Sequence, residues 1–379
     1  MTPNDIKNYY IGREEDIIDS IRRLVDVESP SGDEEANKHV VDMAEEMFAV
    51  TGVSGSVERI KAAGYGEHLL ITAFPGDAKP VLLLGHLDTV HPIGTKEQLR
   101  TEIKEGRFYG CGIFDMKANV VLMIEALRFF HQNGVTPARP INILLSCDEE
   151  VGSKTGREFV EREAAIAAHC FVFEPSAAGR VKTGRKGTGM YTVRAHGVPA
   201  HAGLEPEKGA SAILELSRQI ERLHSLNDVS VGTTVNVCTA SGGTTTNVIP
   251  EHAECTVDVR FSTMAEAERI DSLINSLKPI DERVSLEITG GINRPPMERT
   301  DAVIALYEKA RDIAASLDYD LGETQVGGAS DGNFVGALGI PVLDGLGIAG
   351  DGAHTLHEHI LVSAIADRAA LITLLLNNV

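Results

Sequence analysis

Residues 80–90 read PVLLLGHLDTV. From Val81 to Leu84 no polar residue falls on either face of an extended chain, so this strand belongs inside a sheet that is covered on both sides. It stops at His86 and Asp88. Residues 141–150, INILLSCDEE, repeat the arrangement, with an apolar strand running into Asp148, Glu149 and Glu150. Between the two lie a glycine-broken loop, RFYGCGIFD (107–115), and a helical run, NVVLMIEALRFFHQNG (119–134). A further helix, GREFVEREAAIAA (156–168), leads to the strand CFVFEP (170–175), which ends at Glu174. Buried strands alternating with helices are the pattern of a βαβ-type sheet with helices on its faces.

Upstream, Ile17, Ile18, Ile21, Leu24 and Val25 recur at helical spacing, as do Val40, Val41, Met43, Ala44, Met47 and Phe48, with Ser31 or Asp33 as N-cap of the second run. HLLITAF (68–74) reads as a strand. After Gly184 the pattern changes. GMYTVRAHG (189–197), TTVNVCTAS (233–241), AECTVDVRFS (253–262) and VSLEIT (284–289) alternate as half-exposed strands, with helices at 209–224 and 265–277 between them. GGINRPPMERT (290–300) reads as a hinge, beyond which come a helix (302–316), a short strand, PVLDGL (341–346), and a C-terminal helix. The expected fold is α/β: a mixed sheet flanked by helices, residues 1–183 plus 292–379, interrupted by a smaller α+β domain over 184–291.

A chain of 379 residues is expected to form two domains. Its net charge of −20 is spread along the sequence and argues against nucleic acid or an anionic membrane as partner. An anionic substrate would therefore need a local basic patch. No window is apolar enough to span a membrane, and the start, MTPNDIKNYYIGREEDIIDS, has no secretory signal pattern, so a soluble, cytoplasmic protein is expected. The five cysteines are scattered and form no CxxC pair, which predicts reduced, packed thiols rather than metal ligands.

The chemistry-bearing residues collect where strands end: His86 and Asp88, Glu149 and Glu150, and Glu174, with Asp115 in the loop ahead of a helix. Open α/β sheets bind ligands outside the carboxyl ends of their strands. Taken singly, HxD is commonly a local hydrogen-bonded pair, and acids at strand ends are commonly solvated. Together they are carboxylates crowded at one edge, which repel unless a cation compensates them. Histidine and carboxylate ligands suit zinc, or cobalt or manganese in its place. The segment GDGAHTLHEH offers a further histidine from His354, His357 or His359.

The ordered set GHLDTV, GIFDMK, CDEEVGS, FEPS, AHAG, TTTNVIP, GGASDGNF and GAHTLHE resembles the co-catalytic di-zinc exopeptidase/deacylase family. That family includes glutamate carboxypeptidase, acetylornithine deacetylase, succinyl-diaminopimelate desuccinylase and aminoacylase, and the glutamate carboxypeptidase branch is the most similar. The resemblance implies a zinc exopeptidase-like catalytic domain and an inserted ferredoxin-like lid and dimerisation domain. It implies two zinc ions: His86 and Glu174 on one, Glu150 and His354 on the other, and Asp115 bridging both. Glu149 would be the general base. Asp88 would accept the ring proton of His86, and the Asp115–Met116 peptide would be cis. His201, Asn247, Arg260 and Gly328 would contact substrate, Arg260 through a free carboxylate. Arg185 and Lys186 either add positive charge there or form a solvated turn. Asp148 is left solvated and without a role. The segment MKAN after Asp115 departs from the glycines common in relatives, and Cys147 stands where small hydroxyl residues are usual.

The activity so implied is hydrolysis of the amide before a C-terminal amino acid, glutamate among the candidates. The alternatives are an N-acyl amino acid deacylase of the aminoacylase, acetylornithine deacetylase or desuccinylase type, and a non-catalytic metal- or peptide-binding relative. The filled ligand and base positions argue against the last of these. The expected partners are a small substrate with a free carboxylate and a second copy of the chain, in a homodimer through the inserted domain.

Overall fold

Val81–His86 lies fully buried between Ile141–Ser146 and His169–Val172 and runs parallel to both. Val342–Leu343 extends the sheet beyond His169–Val172, also in parallel. On the other side, Gly66–Ala73 and then Gly55–Ala62 pair antiparallel, giving a mixed sheet of six strands. The three parallel central strands therefore deliver their carboxyl ends side by side. The computed structural model describes residues 1–379.

Helices pack on this sheet through the faces that the sequence periodicity marks. Glu14–Val25 buries Ile17, Ile21, Leu24 and Val25. In Glu34–Ala49, Val40, Val41, Ala44, Met47 and Phe48 are buried, and Asp33 caps the N-terminus by accepting the N–H of Ala36 at 3.0 Å. Ala118–Gln132 is buried along most of its length. Each such apolar side chain contributes roughly 1.5–3 kcal/mol when taken from water. Several elements escape the sequence reading, two of them long. Pro3–Ile11 is a helix with a capping box at Thr2 and Asp5, and its Tyr10 hydroxyl lies 2.5 Å from that of Thr373 in the C-terminal helix Ile365–Asn378. Gly55–Ala62 is an edge strand whose residues are mostly exposed or half-exposed, so it carries no apolar signature.

The chain divides into two units. One comprises Met1–Gly184, Arg299–Gln325 and Ser330–Val379, and the other Arg185–Glu298 with Val326–Ala329. The return crossing thus falls at 298/299, not at the expected 291/292. The reason is that the strand Ser285–Arg294 runs on through the two glycines, paired with Gly187–His196. At Gly290 φ is +104°, and a Cβ would lie 2.1 Å from the carbonyl oxygen of Met190, so only glycine lets the strand continue there.

The second unit is a four-stranded antiparallel sheet in the order Thr234–Gly242, His252–Phe261, Gly187–His196, Ser285–Arg294. Helices Ala212–His224 and Met264–Asn275 complete a βαββαβ chain order, the ferredoxin-like arrangement. Alternate residues of the strands, Tyr191, Val193, Val257 and Val259, form a core with Leu216, Leu223, Ile270 and Ile274 of the helices.

Candidate metal centre

The strand ends and two loops of the larger unit bring five side chains together. His86 Nε2 lies 3.1 Å from Asp115 Oδ1 and 3.6 Å from Glu174 Oε1. His354 Nε2 lies 3.4 Å from the other oxygen of Asp115, Oδ2, and 3.1 Å from Glu150 Oε2. Asp115 thus turns one oxygen toward His86, which also neighbours Glu174, and the other toward His354, which also neighbours Glu150. Ligand atoms of His86, Glu149 and Glu174 lie within 4.8 Å of one another, as do those of His86, Asp115 and Glu150.

Local structure explains why these side chains point together. The strand carrying INILLS ends at Ser146, and Glu149–Val151 forms a turn of 3₁₀ helix, so consecutive glutamates no longer project to opposite faces. The carboxylate of Asp88 accepts the N–H of Glu149 at 3.3 Å and of Glu150 at 3.2 Å, and the Ser31 hydroxyl at 2.6 Å. Its expected contact with the His86 ring is therefore corrected. The Nδ1–H of His86 is donated to the backbone carbonyl of Asp88 at 2.9 Å, while the carboxylate oxygen stands 3.6 Å away, turned toward the glutamate turn. The tautomer is still set, with Nε2 facing Asp115.

Asp115 lies in the turn Ile113–Lys117, and the Asp115–Met116 peptide is cis, as the resemblance implies. The residues that replace the usual glycines brace this turn: Asn119 donates to the carbonyl of Phe114 at 3.1 Å and accepts the N–H of Ile348 at 2.9 Å. Lys117, fully buried, donates to the carbonyl of Val27 at 2.5 Å. His354 occupies a loop between the paired strands Gly350–Asp351 and His359–Leu361, with φ at +64°. The other histidines of that segment point elsewhere: His357 is exposed, with its ring 3.1 Å from the Thr355 hydroxyl, and His359 packs against Tyr109.

The electrostatics of the cluster are those expected of a cation site. Burial opposes charging of His86, but the hydrogen bond to Asp115 and the carboxylates of Asp88, Asp115 and Glu150 outweigh it and raise its affinity for a proton well above the ordinary imidazole value. Hydrogen bonds to Asp115 and Glu150 raise His354 to about 10. Burial pushes Asp88 up to about 6. Without metal, protons on the two imidazoles compensate the acids. Glu150 Oε1 is buried with no hydrogen-bond partner. An orphaned carboxylate oxygen beside imidazole nitrogens and further carboxylates fits a divalent cation with mixed nitrogen and oxygen ligands. No cysteine joins the cluster. Burial raises the thiol of Cys147 above its ordinary range and that of Cys111 to about 11.

The sequence of this chain matches the model of peptidase family M20/M25/M40 over residues 82–378. It belongs to that family. M20 members are metal-dependent hydrolases of peptide and related amide bonds, and this chain is therefore an M20 metallopeptidase/amidohydrolase. Carboxypeptidase G2 of Pseudomonas sp. (strain RS-16) is 29% identical over 368 residues, covering 93% of this chain and 86% of that protein. Succinyl-diaminopimelate desuccinylase of Alkalilimnicola ehrlichii is 30% identical over 320 residues, covering 78% and 83%. Among solved structures, aminopeptidase PepT from Bacillus cereus shares the fold at a TM-score of 0.78 and 23% identity, covering 96% of this chain and 98% of that one. An M20 family metallo-carboxypeptidase from Sulfolobus solfataricus does so at 0.68 and 17%, covering 95% and 99%. No helix of this M20 chain is long and apolar enough to cross a membrane.

The remaining expected site residues belong to the second unit. His201 is exposed on the short strand Ala200–His201, and its Nδ1 accepts the N–H groups of Gly203 and Leu204 at 3.1 Å. Asn247 is also exposed and stands on the same ribbon, its carbonyl accepting the N–H of Ala202 at 2.9 Å. Both guanidinium nitrogens of Arg260 that face Asp258 are engaged, at 2.9 and 2.8 Å. The carbonyl of Gly328 accepts from Arg185 at 3.1 Å, and Arg185 is buried rather than solvated.

Asp148 is also corrected. It is fully buried, and its Oδ2 accepts the N–H and hydroxyl of Thr155 at 2.7 and 2.9 Å, closing the segment after the glutamate turn. Sequence reasoning missed this because an acid at a strand end reads as solvated until its backbone partners are known; the contacts of Ser31 and Glu358 were missed because their partners are distant in sequence.

Proposed function

We propose that this M20 hydrolase holds two divalent metal ions, zinc or in its place cobalt or manganese, and cleaves the amide bond before a C-terminal amino acid. Glutamate is a candidate leaving residue. The observation that carries the two-metal reading is the division of Asp115, Oδ1 toward His86 and Oδ2 toward His354. His86 and Glu174 would hold one ion, and His354 and Glu150 the other. When bound, such a pair supplies Lewis acidity toward the scissile carbonyl and lowers the pKa of an attacking water. Glu149, on the turn oriented by Asp88, takes a proton from that water and passes it to the departing amine nitrogen. Arg260, on leaving Asp258, offers a two-pronged donor to the substrate carboxylate, and His201, Asn247 and Gly328 complete the recognition of substrate.

Similarity to carboxypeptidase G2 across most of both chains favours a carboxypeptidase-type substrate. Similarity to succinyl-diaminopimelate desuccinylase keeps N-acyl amino acid deacylation as the second reading. A hydrolysis screen across N-acyl amino acids and dipeptides separates them, and exclusive turnover of acylated diamino acids would reject the first. Elemental analysis of protein purified without chelator is expected to find two divalent ions per chain. Glu149→Gln should retain the metal while kcat falls by about 10²–10⁴-fold, and undiminished turnover removes Glu149 as base. The same reading carries a two-fold dimer through the second unit, whose outer strands Thr234–Gly242 and Ser285–Arg294 each leave one edge unpaired in the sheet. Sedimentation at monomer mass would reject it.

A further inference from the structure

Glu358 is an acid that the metal reading leaves over. It stands where the His354 loop returns to His359–Leu361, and it is fully buried. Its carboxylate is saturated. Oε1 accepts the N–H of Phe114 at 2.9 Å and of Asp115 at 3.0 Å; Oε2 accepts the N–H of Gly112 at 2.9 Å and lies 2.7 Å from His91 Nε2. A carboxylate buried at this depth is tolerated only with such compensation.

The three N–H partners lie on the segment that ends at Asp115. There the backbone leaves the helical path, with φ and ψ of −120° and 85° at Asp115 and −143° and 31° at Met116. Its N–H groups therefore lack the acceptors a regular helix would supply. Gly112 has φ of +68°, and a Cβ there would meet Thr89 Cγ2 at 2.4 Å, so the turn is closely packed at this point. One carboxylate thus joins the loop that carries His354 to the loop that carries Asp115. Glutamine would offer one acceptor oxygen in place of two, turning an NH₂ group toward the Gly112 N–H.

We propose that Glu358 is a positioning residue of the metal centre: it locks the Gly112–Asp115 backbone to the His354 loop, so that Asp115 offers one oxygen to each half-site, with His91 as its outer counter-group. This rests on the metal-centre reading above, and the test separates the two.

Wild type and Glu358→Gln are stripped of metal, reloaded with Co2+, and followed by visible absorption and by loss of cobalt to a chelator. Glu358→Gln is expected to change the visible band and to release cobalt about 10–100-fold faster. Turnover should fall in kcat, with KM changed by less than about threefold. His91→Asn, which keeps the three backbone bonds, should retain the wild-type band. A merely structural role lowers the melting temperature of the metal-free variant and leaves band and release rate unchanged, and that result overturns the proposal. Absence of cobalt binding by the wild type would instead overturn the metal-centre reading. Should Glu358→Gln not fold, amide exchange in metal-free wild type decides. Slow exchange at Gly112, Phe114 and Asp115 supports a preformed lock, whereas exchange at the rate of exposed peptides rejects it.

Discussion

At the scale of single residues, the buried polar groups of the larger unit sort into those facing the metal centre and those serving the fold. His169 belongs to the second kind. It opens a central strand, packs on Phe171 with ring centroids 5.0 Å apart, and leaves Nε2 buried without a partner. Burial, reinforced by Arg139 and Lys309, pushes it down to about 4. A histidine kept neutral in the folded chain but free to protonate at about 6.5 when unfolded contributes stability that is intact above pH 6.5. That contribution is lost as pH falls from there toward 4, on the order of 1–3 kcal/mol. His169→Phe should flatten this part of the stability–pH curve in denaturant titrations, and an unchanged slope would reject the assignment. The residue sits at the strand end opposite to His86, so metal binding should not alter the effect.

At the scale of elements, turns rather than strands determine where the chemistry points. Asp88 holds the glutamate turn through two N–H groups and the Ser31 hydroxyl. Asp88→Asn supplies fewer acceptors there, and metal affinity is expected to fall by about 10–100-fold while the fold persists. Competition with a chromogenic chelator checks this, and wild-type affinity would return Asp88 to a passive role. In the second unit, Gly290→Ala forces a Cβ against the carbonyl of Met190 in a left-handed backbone. The loss should exceed about 1 kcal/mol and be read as a lowered urea midpoint; the neighbouring Gly291, with nothing within 4 Å of a Cβ, lacks the steric part of that penalty. The helical stripes and the buried strands were legible as sequence periodicity because a single face decides each of them, whereas the choice between Ser31 and Asp33 as cap was left to the structure. The strand Gly55–Ala62 and the continuation through Gly290 were not legible, since both depend on a neighbouring strand.

At the scale of the whole molecule, the proposed ligands come from five separated segments, so a bound ion stabilises the folded larger unit and not its unfolded chain. At a free metal concentration of 1,000 Kd, one site contributes about 4 kcal/mol. Removing metal should therefore speed global amide exchange in Val81–His86 and leave the Thr234–Gly242 strand of the second unit at its former rate. Equal change in both would mean that the ion serves the stability of the whole chain. The −20 charge leaves its mark here too: the guanidinium of Arg260 is held by an internal acid, Asp258. On the proposed reading, an anionic substrate would have to compete with that ion pair.

Family resemblance alone singled out His354 among the three histidines of its loop, whereas the sequence by itself determined the class of fold, the alternation of buried strands and helices, and the candidates His86, Asp115, Glu149, Glu150 and Glu174. Those depend on side-chain type and local spacing, which the order of residues records directly. Only the tertiary structure decided which oxygen of Asp115 faces which histidine, that the Asp88 carbonyl rather than its carboxylate meets His86, and that Asp148 and Glu358 are buried. Each of these turns on where backbone N–H and C=O groups lie after the chain has crossed itself. Every residue carries those groups alike, so their partners leave no mark in the sequence.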